Sequence, residues 1–162
     1  MKNKVKIVDN YLSKENFKTI EQITGSSRFA WFYCPHVASI EDKYGFYLAH
    51  TFFDKNQAFS AHFKDISFLW EPLNARALLR VKANLYTSTN KLIVHSPHKD
   101  YPFENQGMVY SINDCDGYTL INNKKYASKK NRAIFFEAGE YHSSTTCTDT
   151  EVRRNININY IK

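Results

Sequence analysis

A chain of 162 residues, with 43% hydrophobic and 23% charged residues and a net charge of +6, is long enough for one domain with a real core. That balance excludes disorder, and the mild positive charge suits an anionic ligand while permitting nucleic acid without implying it. No apolar leader follows Met1-Lys2-Asn3-Lys4, no apolar run is long enough to span a bilayer, and Cys34, Cys115 and Cys147 are widely spaced without a zinc-ligand pattern, so a soluble cytoplasmic protein with reduced thiols is expected.

In chain order, Val5 to Val8 alternates as a short strand and Asp9-Asn10 reads as a turn. Ser13 is placed to cap a helix running to about Ile23, with Phe17, Ile20 and Ile23 at helical spacing and Gly25 as its stop. Phe29 to Tyr33 and Tyr44 to Phe53 are aromatic runs that predict two strands. A helix is expected from about Ala58 to Trp70, broken near Pro72, and a further helical piece over Leu73 to Leu79. From Arg80 the texture changes to short candidate strands: Arg80–Tyr86, Lys91–Ser96, Met108–Ile112, Tyr118–Ile121, Lys124–Tyr126, Ala133–Phe136 and Val152–Tyr160. Turn signals such as Asn113-Asp114-Cys115-Asp116-Gly117 and Asn122-Asn123 separate them. The pattern predicts one α+β domain over residues 1–162, with residues 1–79 mainly helical support with edge strands and residues 80–162 a β-sandwich or jelly roll carrying the metal site.

The chemistry-bearing stretch is His98-Lys99-Asp100. On an extended backbone His98 and Asp100 face the same way, giving two of the three ligands of a facial metal site for non-haem Fe(II). A third ligand has to come from a distant strand end, and His142 follows the apolar strand Ala133-Ile134-Phe135-Phe136 at such a place. His95 is a competitor for His98, but only His98 has a carboxylate two residues later, which leaves His95 as a supporting or surface residue. His36, His50 and His62 have no companion acid at strand spacing. The last strand alternates strictly: Arg153, Asn155, Asn157 and Asn159 share one face, and Arg154, Ile156, Ile158 and Tyr160 the other. A row of Asn with an Arg suits a wet cavity in which the Arg grips a carboxylate; an exposed polar edge strand is the plainer alternative.

The second half of the chain resembles the Fe(II)/2-oxoglutarate-dependent dioxygenases, in particular the prolyl-4-hydroxylase-like branch and its small phage-encoded members. The resemblance lies in Asn84-Leu85-Tyr86, Pro97-His98-Lys99-Asp100, Val109 to Asp114, Gly117 to Leu120, Asn131 to Phe136, Tyr141-His142-Ser143 and Val152 to Tyr160, covering roughly residues 76–162. It implies a double-stranded β-helix (jelly-roll, cupin-like) core with supporting N-terminal helices. It implies Fe(II) on His98, Asp100 and His142, and 2-oxoglutarate as co-substrate. Arg153 would pair with its remote C5 carboxylate, Tyr110 would donate to the same group, and Tyr86 would lie near its C1 carboxylate; Asn155, Asn157 and His95 are pocket candidates. Hydrophobic packing alone does not choose between Arg153 and Arg154, whereas the family register and the Asn face select Arg153.

The implied reaction is hydroxylation of a C–H bond with O2, releasing succinate and CO2, and the branch favours a prolyl residue of a peptide or protein as substrate. A nucleobase, a small amino-acid derivative or a non-catalytic cupin-like binding module are the alternatives. Substrate contacts are expected from Tyr101–Gly107 and part of Tyr33–Phe53, with Phe103 and Trp31 as apolar candidates. The pairs Lys124-Lys125 and Lys129-Lys130 are the sole support for nucleic acid, and solvated loop lysines explain them more simply.

Overall fold

The computed structural model describes residues 5–38 and 45–162, and the counts below refer to these. Eight strands form one large antiparallel sheet: β1 (Lys6–Asp9), β2 (Phe32–Cys34), β3 (Tyr47–Asp54), β4 (Gln57–Ala58), β5 (Ala77–Thr87), β6 (Gln106–Ser111), β9 (Arg132–Glu137) and β11 (Val152–Ile161). Its order is β1-β9-β6-β11-β5-β3-β2, with β4 folded back on β3. Three more strands, β7 (Tyr118–Ile121), β8 (Lys124–Ala127) and β10 (His142–Ser143), make a small sheet in the order β10-β7-β8.

The alternation of β11 divides the large sheet into two faces. Ile156 and Ile158 are fully buried and pack with Val81, Ala83, Met108, Tyr110 and Ala133 from neighbouring strands. Helix α1 (Lys14–Gly25) covers this face through Phe17 and Ile20, and Ser13 caps the helix by accepting from the Asn16 amide. Each fully buried Ile contributes roughly 1.5–3 kcal/mol over leaving it in water. Val109, Ile134 and Phe136 occupy the other face, with Ile121 from β7. Arg153, Asn155, Asn157 and Asn159 are on that second face too, and all four are buried.

Several expected elements differ. The stretch foreseen as a helix over 58–70 is a 3-10 helix, Ala61–Leu69, interrupted at Ile66 and followed by a single 3-10 turn at Glu71–Leu73 containing Pro72. Ile66 and Leu69 are drawn fully into the core, so tertiary packing sets the tighter winding. The helix expected over Leu73–Leu79 is absent. Asn74 turns the chain in a left-handed conformation, Arg76 N–H donates to the Ile161 carbonyl, and β5 begins at Ala77 against Ile161. Pairing with a strand some eighty positions away overrides the local Ala/Leu helix preference. Residues 5–79 are therefore not mainly helical, since β1 to β4 and the start of β5 belong to them. The stretch Lys91–Ser96 contributes one isolated bridge, Val94 to Thr145, in place of a strand. Tyr44, the expected start of the second aromatic run, lies outside the described residues, and the strand there begins at Tyr47. No helix among the described residues is long and apolar enough to cross a membrane.

Candidate metal and dianion site

His98 and His142 belong to different parts of the roll, yet their backbones are paired. His98 N–H donates to the His142 carbonyl at 2.9 Å, and His142 N–H donates back to His98 at 3.0 Å. This bridge sets the two imidazoles side by side, with ring centroids 4.5 Å apart. Asp100, two positions on, completes the group: its carboxylate is 4.0 Å from His98 Nε2 and 3.6 Å from His142 Nε2. One ligand atom from each of the three lies within 4.8 Å of the others.

The donor chemistry fits a divalent metal. His142 Nδ1 faces the Glu140 carbonyl at 3.0 Å and His98 Nδ1 faces the Ser96 carbonyl at 3.4 Å. A carbonyl only accepts, so both protons belong on Nδ1 and both Nε2 lone pairs point inward. Burial, then the neighbouring His142, lowers the His98 pKa and keeps the ring neutral. Burial opposes the charge on Asp100, but Arg80, His142 and donors from Asn159 and Asn157 outweigh it and hold the carboxyl well below its ordinary value. Arg80 Nη2 donates to Asp100 Oδ1 at 2.6 Å; Asn159 and Asn157 donate to Oδ2 at 2.8 and 3.2 Å.

The same cavity continues along β11 and β5 to Arg153. This guanidinium is 1% exposed and donates to Ser128 Oγ at 2.7 Å, the Thr145 carbonyl at 2.9 Å and Thr119 Oγ1 at 3.0 Å. All three acceptors are neutral, and among the described residues no carboxylate pairs with it. A buried cation without a counter-ion is costly, and that end of the cavity is suited to take a carboxylate. Arg154 lies on the opposite face, where its guanidinium approaches Gly25 of α1.

The structure thus brings His98, Asp100, His142, Arg153, Asn155 and Asn157 to one cavity, and separates Tyr110 from them. Tyr110 is on the helix-covered face of β6, where its hydroxyl donates to Asn131 Oδ1 at 2.9 Å and its ring packs near Tyr11. The reason is register: Tyr110 pairs with Ile156, so it shares the Ile face and not the Asn face. Tyr86 does line the cavity, but at the Arg153 end, with the guanidinium 5.5 Å from its ring centroid and register opposite Arg153. It is therefore displaced from the expected C1 position beside the metal. His95 stays outside the His-Asp-His group; it stacks on Tyr86 at 5.3 Å, and its Nδ1 meets Ser144 Oγ at 2.9 Å. Trp31 packs against the core beside Phe29, while Phe103 is exposed and pairs with Tyr101 at 5.1 Å. Sequence reasoning missed Arg80, Lys82 and Asn84, although their alternation with Val81, Ala83 and Leu85 marks one polar face of β5.

No protein-family model matches the sequence, and no curated protein matches it significantly. Solved structures do match over almost the whole chain. A prolyl hydroxylase from Trichoplax adhaerens, solved with a hypoxia inducible factor oxygen degradation domain peptide fragment, superimposes with a TM-score of 0.73 at 14% identity, covering 99% of this chain and 84% of that one. The fold is that of the 2-oxoglutarate/Fe(II) oxygenases. A 2OG-Fe(II) oxygenase family oxidoreductase from Burkholderia pseudomallei gives 0.68 at 13% identity, over 97% and 84% of the two chains. The viral collagen prolyl hydroxylase of Paramecium Bursaria Chlorella virus-1, solved with 2OG, gives 0.62 at 12% identity, over 98% and 96%. In this oxygenase fold the eight-stranded and three-stranded sheets are the two walls of a double-stranded β-helix, and the polar cavity lies between them.

Proposed function

We propose that the chain is an Fe(II)- and 2-oxoglutarate-dependent dioxygenase that hydroxylates a prolyl residue of a peptide or protein. One observation carries the reading: a single cavity joins the His98–Asp100–His142 face to a buried, uncompensated Arg153. When bound, Fe(II) supplies the O2 chemistry that couples oxidative decarboxylation of 2-oxoglutarate, giving succinate and CO2, to insertion of one oxygen atom into a substrate C–H bond. The chain's part is to hold and orient. The Nε2 atoms of His98 and His142 and the Asp100 carboxylate would hold the metal on one side, leaving the other side open. Arg153, steadied by Ser128, Thr119 and Thr145, would receive the far carboxylate of the co-substrate. Asn84 and Asn155, linked at 2.9 Å, and Asn157 offer amides along the wall between the two ends.

The prolyl assignment is supported by the fold neighbours, since two of the three named above are prolyl hydroxylases. A nucleic-acid substrate is less favoured, because Lys129 pairs with Asp9 at 3.3 Å and Lys130 with Glu21 at 3.9 Å. The free thiols of Cys34, Cys115 and Cys147 suit a reducing, cytoplasmic setting.

Anaerobic addition of Fe(II) and 2-oxoglutarate is expected to produce a weak visible charge-transfer band, and O2 is then expected to yield succinate. Folded, metal-loaded protein that shows neither would overturn the assignment. Arg153→Ala should weaken 2-oxoglutarate binding by about 2–5 kcal/mol, as for truncation of one partner of a buried charge pair. Arg154→Ala should leave that affinity within a few-fold. Mass spectrometry on proline-containing peptides, with oligonucleotides in parallel, reads the substrate as a gain of one oxygen.

A further inference from the structure

The cavity wall beside the His-Asp-His group carries two cations that neither the metal nor the co-substrate accounts for. Arg80 and Lys82 occupy the same face of β5 as Asn84 and Tyr86. Arg80 is tied to Asp100 and, at 3.1 Å, to Asn159 Oδ1; its Nε is buried with no hydrogen-bond partner, and its guanidinium lies 5.7 Å from the centre of the Tyr101 ring. Lys82 lines the cavity together with His98, Asp100 and Asn157. Its Nζ donates to the Tyr47 hydroxyl at 3.1 Å and lies 5.2 Å from the centre of that ring. Among the described residues no carboxylate is within ion-pair distance of Lys82. A phenol and a ring face are neutral partners that place a cation without discharging it.

A charge count follows from this placement. In the loaded site the two positive charges of the metal and the one of Arg153 are matched by Asp100 and the two carboxylates of 2-oxoglutarate. Arg80 and Lys82 are left over, inside a partly buried pocket where unmatched charge is expensive. Burial, and then Arg80, lowers the Lys82 ammonium to about 8, while Asp100 favours its charge. Arg80 is already committed to Asp100, which makes Lys82 the open contact.

Resting on the proposed function, we infer that the prime substrate presents a carboxylate to Lys82, so that the target prolyl residue adjoins an acidic side chain. Lys82 is then a specificity-determining residue, with Tyr47 as its positioning partner.

The test is equilibrium binding to the full chain, loaded anaerobically with Mn(II) and 2-oxoglutarate, of two matched probes: N-acetyl-Asp-Pro-amide and N-acetyl-Asn-Pro-amide. Wild type should bind the Asp probe about tenfold or more tightly, the yield of one charge-assisted contact. That preference should fall to within about twofold in Lys82→Gln and survive in Lys82→Arg. Equal binding of the two probes by wild type, or no binding of either, overturns the inference. A preference that persists in Lys82→Gln overturns it as well, and if 2-oxoglutarate affinity drops in that variant the lysine serves the co-substrate instead. Failure of wild type to bind 2-oxoglutarate at all would remove the proposed function and this inference with it. Indifference to the probe charge in protein that does bind 2-oxoglutarate removes the inference alone.

Discussion

Tyr110 pairs with Ile156, three positions along β11 from Arg153, and that odd offset sends the two side chains to opposite layers of the molecule. Arg153 faces the polar cavity, while the Tyr110 hydroxyl holds Asn131, whose Oδ1 also accepts from the Leu12 amide. Tyr110→Phe is therefore expected to lower folding stability by about 0.5–1.5 kcal/mol, the net worth of one internal hydrogen bond, and to leave 2-oxoglutarate affinity unchanged. Denaturant midpoints and a binding isotherm on the same variant check both halves. The contrast explains what was legible at this scale. In Asn155–Tyr160 the polar and apolar residues alternate without exception, and carrying that period back through Arg154 places Arg153 with the asparagines and Arg154 with the isoleucines. In Met108-Val109-Tyr110 every side chain is apolar or aromatic, and nothing local says which face is which. The pairing of Tyr110 with Ile156 decides it, and that pairing is a property of two strands.

At the scale of elements, the strand signals after residue 80 survive almost intact because each is short, bounded by turn residues and rich in β-formers. Of the helical expectations before it, the one capped by Ser13 holds as α1, while the two that follow do not. Leu73–Leu79 has good helix formers but no cap and no long apolar stripe, and the hydrogen-bonding edge of β11 captures it. The turn leading into β7 shows how closely an element can be fitted to the site. A side chain at Gly117 would place its Cβ 2.6 Å from the Thr146 carbonyl oxygen and 2.7 Å from Arg153 Cδ. Gly117→Ala should therefore push the guanidinium out of position. It is expected to cost about 1–3 kcal/mol of stability by overpacking and to weaken 2-oxoglutarate binding without removing a polar group. Calorimetric titration of the variant measures the second effect, and undiminished affinity would show that the clamp has room to shift.

Across the whole molecule, β1 closes the far edge of the large sheet, pairing residues more than a hundred positions apart. Asp9 fastens this edge, with Arg132 Nε at 2.6 Å and Arg132 Nη2 at 3.0 Å. The Arg132 hydrogen bond lowers the Asp9 pKa to about 2, below the ordinary 3.8 of the side chain. A depressed carboxylate contributes its stability above the unfolded value, so the contribution is present above about 4 and lost as the pH falls through about 2. The midpoint difference between wild type and Asp9→Asn should thus be largest near pH 5 and shrink steadily as the pH is lowered through 2. This tie was invisible beforehand: Asp9 reads as an ordinary turn residue, and Arg132 as the start of an apolar strand.

One strand, β11, carries both the Arg153 clamp and the Asn157 and Asn159 amides that hold Asp100. Four residues of antiparallel strand separate Arg153 from Asn157, a span of ~14 Å at 3.4 Å per residue. Since hydrogen bonds to β5 and β6 lock that strand on both sides, the span behaves as a rigid gauge block: no loop lies between its ends to stretch or shorten it. The molecule should consequently measure the length of the dianion it holds. In competition binding, oxaloacetate, one methylene shorter, and 2-oxoadipate, one longer, are each expected to bind about tenfold or more weakly than 2-oxoglutarate, a loss of roughly 1.4 kcal/mol.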